Sequence, residues 1–281
     1  MIREVKASDI TELVEKLCIE ANTVLSNDIY TCLGNCAKKE KSTLGREILN
    51  TLIENADIAK AEVAPMCQDT GMTVVFVTMG QDVHVSGGFI EDAINEGVRR
   101  GYKKGYLRMS VVNNPIDRVN TKDNTPAIIH YEIVEGDKFH ITVAPKGFGS
   151  ENMSQLRMLK PSAGLKGIKD FVIQTVSEAG ANPCPPIIVG VGIGGTMEKS
   201  AYLSKKSLLR PIDQKNPDPK LAELEAELLE AVNALGIGPA GFGGTTTALS
   251  VNILTNATHI AGLPVSVNIG CHATRHAEGD L

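Results

Sequence analysis

The sequence contains no tryptophan, and aromatic residues make up only 4% of its 281 positions. A core must therefore be built from Ile, Leu, Val, Ala and Met. No segment approaches the roughly 20 consecutive apolar residues that a membrane-spanning helix needs. The opening Met1-Ile2-Arg3-Glu4-Val5-Lys6 lacks the apolar centre of a signal peptide. Both absences make the cytoplasm the expected compartment, with no membrane partner. Long runs of like charge are missing too, and the net charge is −5. Nothing here attracts a nucleic-acid backbone or an anionic lipid surface. The basic pairs Arg99-Arg100 and Lys103-Lys104 read as solvated helix faces. There is no Cys-x-x-Cys, which excludes zinc ribbons and ferredoxin-type runs. There is also no repeat, low-complexity tract or clean linker, so residues 1–281 are expected to form a single domain.

What is present is an ordinary globular balance, 42% hydrophobic and 22% charged. Residues 8–62 read as helical, with Ser8-Asp9 as a cap ahead of Ile10, Leu13, Val14 and Leu17. A second helical stretch starts near Leu44. Thr73 to Val77 is a short β-branched run typical of a buried strand. A helix over 89–104 precedes a predicted hairpin, in which Ile128–Val134 and Lys138–Val143 flank Glu135-Gly136-Asp137. Residues 162–180 read as a helix ending at Gly180, 187–193 as a strand, and 220–235 as a helix ending at Gly236. Residues 246–254 and 264–269 read as two last strands. Helices first, then strands mixed with helices, predict an α+β (mixed α/β) fold: a helical N-terminal part followed by a mixed sheet packed with helices.

Three of the six cysteines share a setting. Cys67 lies in Pro65-Met66-Cys67-Gln68-Asp69-Thr70-Gly71, Cys184 in Asn182-Pro183-Cys184-Pro185-Pro186, and Cys271 in Ile269-Gly270-Cys271-His272. Each stands at the edge of a predicted strand, in a turn built from Pro or Gly. Such turns fix the direction of a side chain and leave its sulfur reachable, as a metal ligand requires. Wide spacing gives no signature, and buried inert cysteines are the plain alternative. Cys18 falls among apolar helix positions and reads as core. Cys32 and Cys36 are four apart and share a helix face, but two thiols make an incomplete metal site.

Gly190-Val191-Gly192-Ile193-Gly194-Gly195 matches the Gly-x-Gly-x-x-Gly dinucleotide pattern, with Asp213 further on. A nucleotide-dependent oxidoreductase is therefore a competing reading. Against it, the first glycines fall inside the strand and Asp213 lies in a proline-rich loop. Two further small-residue loops, Lys146 to Asn152 and Gly241 to Thr247, offer backbone amides to an anion or are plain connections. A lone His259 reads as structural. Arg108, between Leu107 and Met109, predicts a partly buried guanidinium with an anionic partner.

Taken together, Met66 to Gly71, Lys146 to Asn152, Cys184-Pro185-Pro186 with Gly194-Gly195-Thr196, and the ending from Cys271 to Leu281 give the chain its family likeness. It resembles the α subunit of class I iron–sulfur fumarate hydratase and of L(+)-tartrate dehydratase. The resemblance implies that Cys67, Cys184 and Cys271 hold a [4Fe–4S] cluster whose fourth iron, without a protein ligand, acts as a Lewis acid on a small dicarboxylate substrate. It further implies that Gln68 and Asp69 reach the substrate, with Asp69 in proton transfer. Arg108 would pair with a carboxylate, the Gly149 amide would face the substrate, and His259, twelve positions before Cys271, would assist catalysis. Phe148 departs from the glycine run of single-chain members. A separate β subunit would supply the remaining groups, in a whole enzyme of two α and two β chains. The implied activity is reversible hydration of fumarate to (S)-malate, with tartrate dehydration to oxaloacetate as the alternative.

Overall fold

The computed structural model describes residues 2–281. In chain order the elements are β1 (Arg3–Lys6), α1 (Ala7–Thr23), α2 (Asn27–Lys39), α3 (Thr43–Glu62), β2 (Met72–Gly80), β3 (Val83–Ser86) and α4 (Ile90–Lys104). Next come β4 (Ile128–Val134), β5 (Phe139–Lys146), α5 (Phe148–Glu151), β6 (Gln155–Leu159) and α6 (Gly164–Ala179). The chain ends with β7 (Ile187–Gly195), α7 (Met197–Ser207), α8 (Pro219–Asn233), β8 (Ala248–Thr258), β9 (Leu263–Gly270) and β10 (Ala277–Asp280). This is the α+β fold that the sequence predicts. Contacts group the residues into two compact units. One holds the chain up to Ser26, Asn55–Phe148 and Arg275–Leu281; the other holds Asn27–Glu54 and Gly149–Thr274. Because each unit is assembled from separate stretches, the chain passes between them four times, once inside α3 and once inside α5.

In the first unit the sheet order is β10-β5-β2-β4. The predicted hairpin forms its strands and its turn, but β4 and β5 do not pair. β2 lies between them, parallel to β4 and antiparallel to β5. The reason is in β2 itself: Thr73 to Val77 is buried throughout, the character of a central strand that bonds on both edges. The Glu135-Gly136-Asp137 turn instead folds over the end of β2. The Gln81 N–H donates to the Val134 carbonyl (2.8 Å) and the Asp82 N–H to that of Gly136 (2.9 Å). Any Cβ on Gly80 would overlap the Gly136 carbonyl, so only glycine fits that crossing. The core here is aliphatic, with Ile10, Val14, Leu17, Val75, Ile94, Val98, Ile141 and Val143 packed around Tyr102 and Phe139. α1 and α4 approach closely because Gly97 and Gly101 face Val14 and Cys18. α1 starts at Ala7 with Lys6 at its cap position. The predicted Ser8-Asp9 cap is not made, because β1 delivers extended backbone directly into the first turn.

The second unit repeats the topology, with order β6-β9-β7-β8. Again the first strand, β7, runs parallel to the next, β8, and antiparallel to the third, β9, with an antiparallel strand beyond. The sequence carries no visible repeat, yet the two sheets share one strand plan. Alternation along β7 sorts its faces. Val189 and Val191 join Phe171, Val172, Leu228 and Val232 of α6 and α8 in the core. Gly190 and Gly192 face α7, where a Cβ would overlap the carbonyl oxygens of Ser204 and Ser200.

Candidate functional site

The first cysteine loop is held by buried polar groups of its own unit. The Met66 N–H donates to the Asn22 carbonyl (3.0 Å), and Asn55 Nδ2 donates to the Met66 carbonyl (2.8 Å). Tyr102 is fully buried, and its hydroxyl donates toward the carbonyls of Thr70 (2.8 Å) and Gly71 (3.0 Å). Burial pushes that phenol upward in pKa, so it stays a neutral donor. Arg275, 4% exposed, donates to Asn22 Oδ1 (3.1 Å) and to the Asp69 carbonyl. These contacts fix the backbone on either side of Cys67 while Cys67 itself stays half-buried and Gln68 exposed.

Asp69 is the best-defined group in the loop. Its Oδ1 accepts from the Gly71 N–H (3.0 Å) and its Oδ2 from the Phe148 N–H (2.8 Å). The first cysteine loop and the start of the Lys146 to Asn152 loop are thereby joined through one carboxylate. Gly71, at φ +80°, packs so tightly on the Lys146 backbone that a Cβ would sit 2.7 Å from its nitrogen. Arg108 is exposed, which corrects the expectation of a partly buried guanidinium. Leu107 carries the burial at this point (4% exposed), so Arg108, next along an extended segment, points outward. Among the described residues no carboxylate pairs with it; its Nη1 lies 3.5 Å from Gln68 Oε1. Thr70 locks its backbone, accepting the Arg108 N–H at 2.9 Å and donating to the Arg108 carbonyl at 3.3 Å. Gln68, Asp69 and Arg108 thus converge at one place in this unit.

Cys184 and Cys271 converge in the other unit. β7 starts three residues after Cys184, and Cys271 directly follows β9, the antiparallel neighbour of β7. The two segments meet where the His272 N–H (3.4 Å) and the His272 ring Nδ1 (3.0 Å) face the Cys184 carbonyl. The Thr274 hydroxyl donates to the Cys271 carbonyl at 2.8 Å. Cys184 adopts φ +54°, a left-handed conformation that costs an L-residue roughly 1–2 kcal/mol and that clusters at functional sites. Its side chain is exposed and that of Cys271 half-buried, whereas Cys18 lies fully buried in the core. No disulfide joins any of the six cysteines.

A cluster iron takes thiolates from turns that leave the sulfur reachable, and Cys67, Cys184 and Cys271 are of that kind. Among the described residues no three His, Cys, Asp or Glu side chains stand ready-gathered for a metal ion. Thiolates on turns are the donor chemistry a cluster takes; Cys67 belongs to the first unit, Cys184 and Cys271 to the second.

Of the two remaining expected participants, Gly149 lies beside Asn182 ahead of Cys184, and His259 stands apart from that turn. Gly149 is exposed, and nothing but the Asn182 carbonyl (3.8 Å) would meet a Cβ there. His259 sits in the β8–β9 turn, lining a shallow cleft of about 500 Å³ with Lys199, Asn256 and Thr258. That turn is the far end of the sheet. Cys184 and Cys271 lie at the end where Ile188 pairs with Gly270, and His259 lies beyond the end where Gly195 pairs with Thr258. Along a nine-residue strand this is about 25 Å.

The glycine-rich stretch 190–195 is explained by packing, since Gly190 and Gly192 admit α7 against β7. The expected dinucleotide loop is therefore strand interior. Groups that the sequence reading passes over are Thr70, Tyr102, Asn124, Arg275 and Glu151. Asn124 is fully buried, donating to the Gly71 carbonyl (3.2 Å) and accepting the Ser110 N–H (2.8 Å). Glu151 accepts from Lys205 Nζ (2.5 Å) and Asn268 Nδ2 (3.1 Å). Only the position of Arg275 and Glu151 inside the recognised motifs marks them in the sequence.

Comparison with known proteins decides the family. The family described as fumarate hydratase (Fumerase) matches residues 11–280. The chain belongs to the fumarate hydratase family. Its relatives agree over nearly full length. A protein of Methanocaldococcus jannaschii, provisionally named L(+)-tartrate dehydratase subunit alpha, is 43% identical over 274 residues, covering 95% of this chain and 96% of its own. The L(+)-tartrate dehydratase subunit alpha of Escherichia coli K12 is 35% identical over 276 residues, covering 97% of this chain and 90% of its own. The protein of the same name from Shigella boydii matches to the same extent. As a fumarate hydratase family member the chain is a hydro-lyase by lineage. Among its described residues no helix is long and apolar enough to cross a membrane.

Proposed function

We propose that the chain is the α subunit of an iron–sulfur hydro-lyase acting on a four-carbon dicarboxylate, with Cys67, Cys184 and Cys271 as the ligands of a [4Fe–4S] cluster. The observation that carries this reading is the meeting of Cys184 with the Cys271-His272 segment, Cys184 in left-handed backbone and its thiol exposed. When bound, the cluster supplies Lewis acidity toward a carboxylate and the hydroxyl gained or lost. The protein supplies the rest. Gln68 and Arg108, 3.5 Å apart, form a donor pair for a carboxylate, the guanidinium giving charge-assisted bonds. Asp69, oriented by two backbone N–H groups, takes part in moving the proton at the neighbouring carbon. The Gly149 amide is assigned to the substrate.

His259 does not reach the Cys184–Cys271 turn of its own chain. We assign it to the site of a second α chain, which an assembly of two α and two β chains brings within reach. The β chain supplies the further cationic and proton-transfer groups.

Hydration of fumarate to (S)-malate is the first substrate reading. Dehydration of L(+)-tartrate to oxaloacetate is the second, favoured by the names of the relatives. Anaerobic purification followed by iron, sulfide and visible-absorbance analysis tests the cluster; a colourless, iron-free protein sinks it. Co-expression with a β chain and assay on both substrates tests the reaction. Activity on neither substrate, with the cluster present, overturns the hydro-lyase reading alone.

A further inference from the structure

Besides the fully buried Cys18, two thiols lie outside the site described above. Cys32 and Cys36 stand one turn apart on α2, whose Ile29, Leu33 and Ala37 are buried. Both cysteines are half-buried, so each is anchored yet reachable by a small molecule. One turn apart on the same helix, their thiols are placed to hydrogen-bond each other. The bond from Cys32, against some burial and with help from Lys39, favours the thiolate of Cys36, while the same bond holds the proton on Cys32.

A second observation concerns Gly34, between them. Glycine weakens a helix interior, and Gly97 and Gly101 inside α4 are required there by close packing. Gly34 is not: nothing lies within 4 Å of a Cβ built there. Its cost to α2 has no steric return. Cysteines four apart on a helix hold their Cβ atoms about 5–6 Å apart, whereas a disulfide needs roughly 3.5–4.5 Å. Bridging them demands that this turn yield, and a glycine inside the turn lets it yield.

We propose that Cys32 and Cys36 form a dithiol site that hydrogen peroxide converts to an intrahelical disulfide, Cys36 being oxidised first. The Cys36 thiolate attacks one peroxide oxygen, the O–O bond breaks, and the departing oxygen leaves as water after protonation. Cys36 is then a sulfenic acid. The Cys32 sulfur attacks the Cys36 sulfur, the S–S bond forms and the S–O bond breaks. The hydroxide takes the Cys32 proton and leaves as a second water. Two sulfurs lose two electrons in all, and one peroxide becomes two waters.

The bridge has a place to act. The Cys36 carbonyl accepts the Glu40 N–H at 2.8 Å. The Glu40 carboxylate in turn holds the Thr245 N–H at 2.9 and 3.0 Å. The Ala240 N–H of the same glycine-rich loop donates to the Pro185 carbonyl (2.8 Å), next to Cys184. Distorting the last turns of α2 loosens Glu40 and with it this loop. The disulfide itself requires neither cluster nor substrate, so its test is independent of the proposed reaction.

The full-length chain, reduced and then exposed to hydrogen peroxide, is alkylated and mapped by peptide mass spectrometry. The expected product is a peptide containing both cysteines, lacking two hydrogens, closed to alkylation and reopened by a thiol reductant. Cys36 found as sulfinic acid with Cys32 still alkylated, or either residue bridged to another cysteine, overturns the proposal. In Cys32→Ser, dimedone is expected to trap a sulfenic acid at Cys36; no adduct overturns the order of oxidation. Gly34→Ala is expected to slow closure about fivefold, the factor matching the helix preference of Ala over Gly. An unchanged rate removes Gly34 from the argument. Hydrogen exchange at the Thr245 amide is expected to rise on oxidation, and unchanged exchange overturns the link to the loop.

Discussion

Thr70 shows how much one hydroxyl decides at the residue scale. It lies at the crossing between the first cysteine loop and Arg108, both accepting from and donating to the Arg108 backbone. Replacing it with the isosteric valine leaves the partly buried Arg108 N–H without an acceptor. Thr70→Val is expected to lower stability by about 1–3 kcal/mol in urea denaturation and to raise KM more than it lowers kcat, because Arg108 is displaced from Gln68. Glu40 is the second such residue. Burial alone raises its pKa, but N–H groups of Ser42 and Thr245 with the hydroxyls of Thr246 and Thr245 outweigh it, leaving the carboxyl at about 2, below its ordinary 4.5. The folded pKa is depressed, so this contribution is complete above about pH 4.5 and disappears as pH falls toward 2. Glu40→Gln should therefore destabilise the protein at pH 7 by on the order of 3 kcal/mol. It should cost much less at pH 2.5, which denaturation at the two pH values measures. An equal loss at both would refute the ionic role.

At the scale of elements, β7 and β8 are specified by what packs on them. α7 comes down onto β7 only because Gly190 and Gly192 have no side chain. Gly192→Ala should cost about 1–3 kcal/mol or more through overpacking, read by thermal denaturation, and neither the variant nor the parent chain is expected to retain a nicotinamide. Retention of a nicotinamide by the parent would reverse that reading of the motif. The free edge of β8 is covered by side chains instead of a strand. The Ile253 N–H donates to Glu225 (2.6 Å), and its carbonyl accepts from Asn216 Nδ2 (3.0 Å). Asn233 Oδ1 accepts the N–H groups of Thr247 and Ala248, both at 2.8 Å. Glu225 is neutralised by Arg210 at 2.8 Å. These side chains block strand addition at Ala248 and Ile253, in the buried half of β8.

For the molecule as a whole, the decisive feature is that His259 and the Cys184–Cys271 turn occupy opposite ends of one sheet. If His259 serves a neighbouring copy, two inactive variants should complement each other. Mixed assemblies of His259→Ala and Cys271→Ser chains, refolded with β subunit, are expected to recover activity that neither variant shows alone. No recovery, with mixed assemblies demonstrated by mass, would exclude the shared site. The three candidate ligands give a parallel test, since Cys67→Ser, Cys184→Ser and Cys271→Ser should each lower bound iron, while Cys36→Ser should not.

The sequence by itself determined the element types and the motifs. The periodicities of 162–180 and 220–235 reappear as α6 and α8, and the turn cysteines stand at the strand edges, because propensity, capping glycines and prolines act over a few residues. Short strands such as β6 escaped because Leu156 and Met158 face outward and leave no core-facing pattern. Strand partnership was beyond it: β2 separates β4 from β5, and β7 separates β8 from β9. Which strand fills a gap depends on burial of both its faces, a property of the assembled sheet. Only the tertiary structure revealed that Arg108 points outward, that Arg275 braces the Asp69 loop, and that His259 lies a strand's length from Cys271. Those facts depend on contacts between residues distant in sequence, where local preference has no influence.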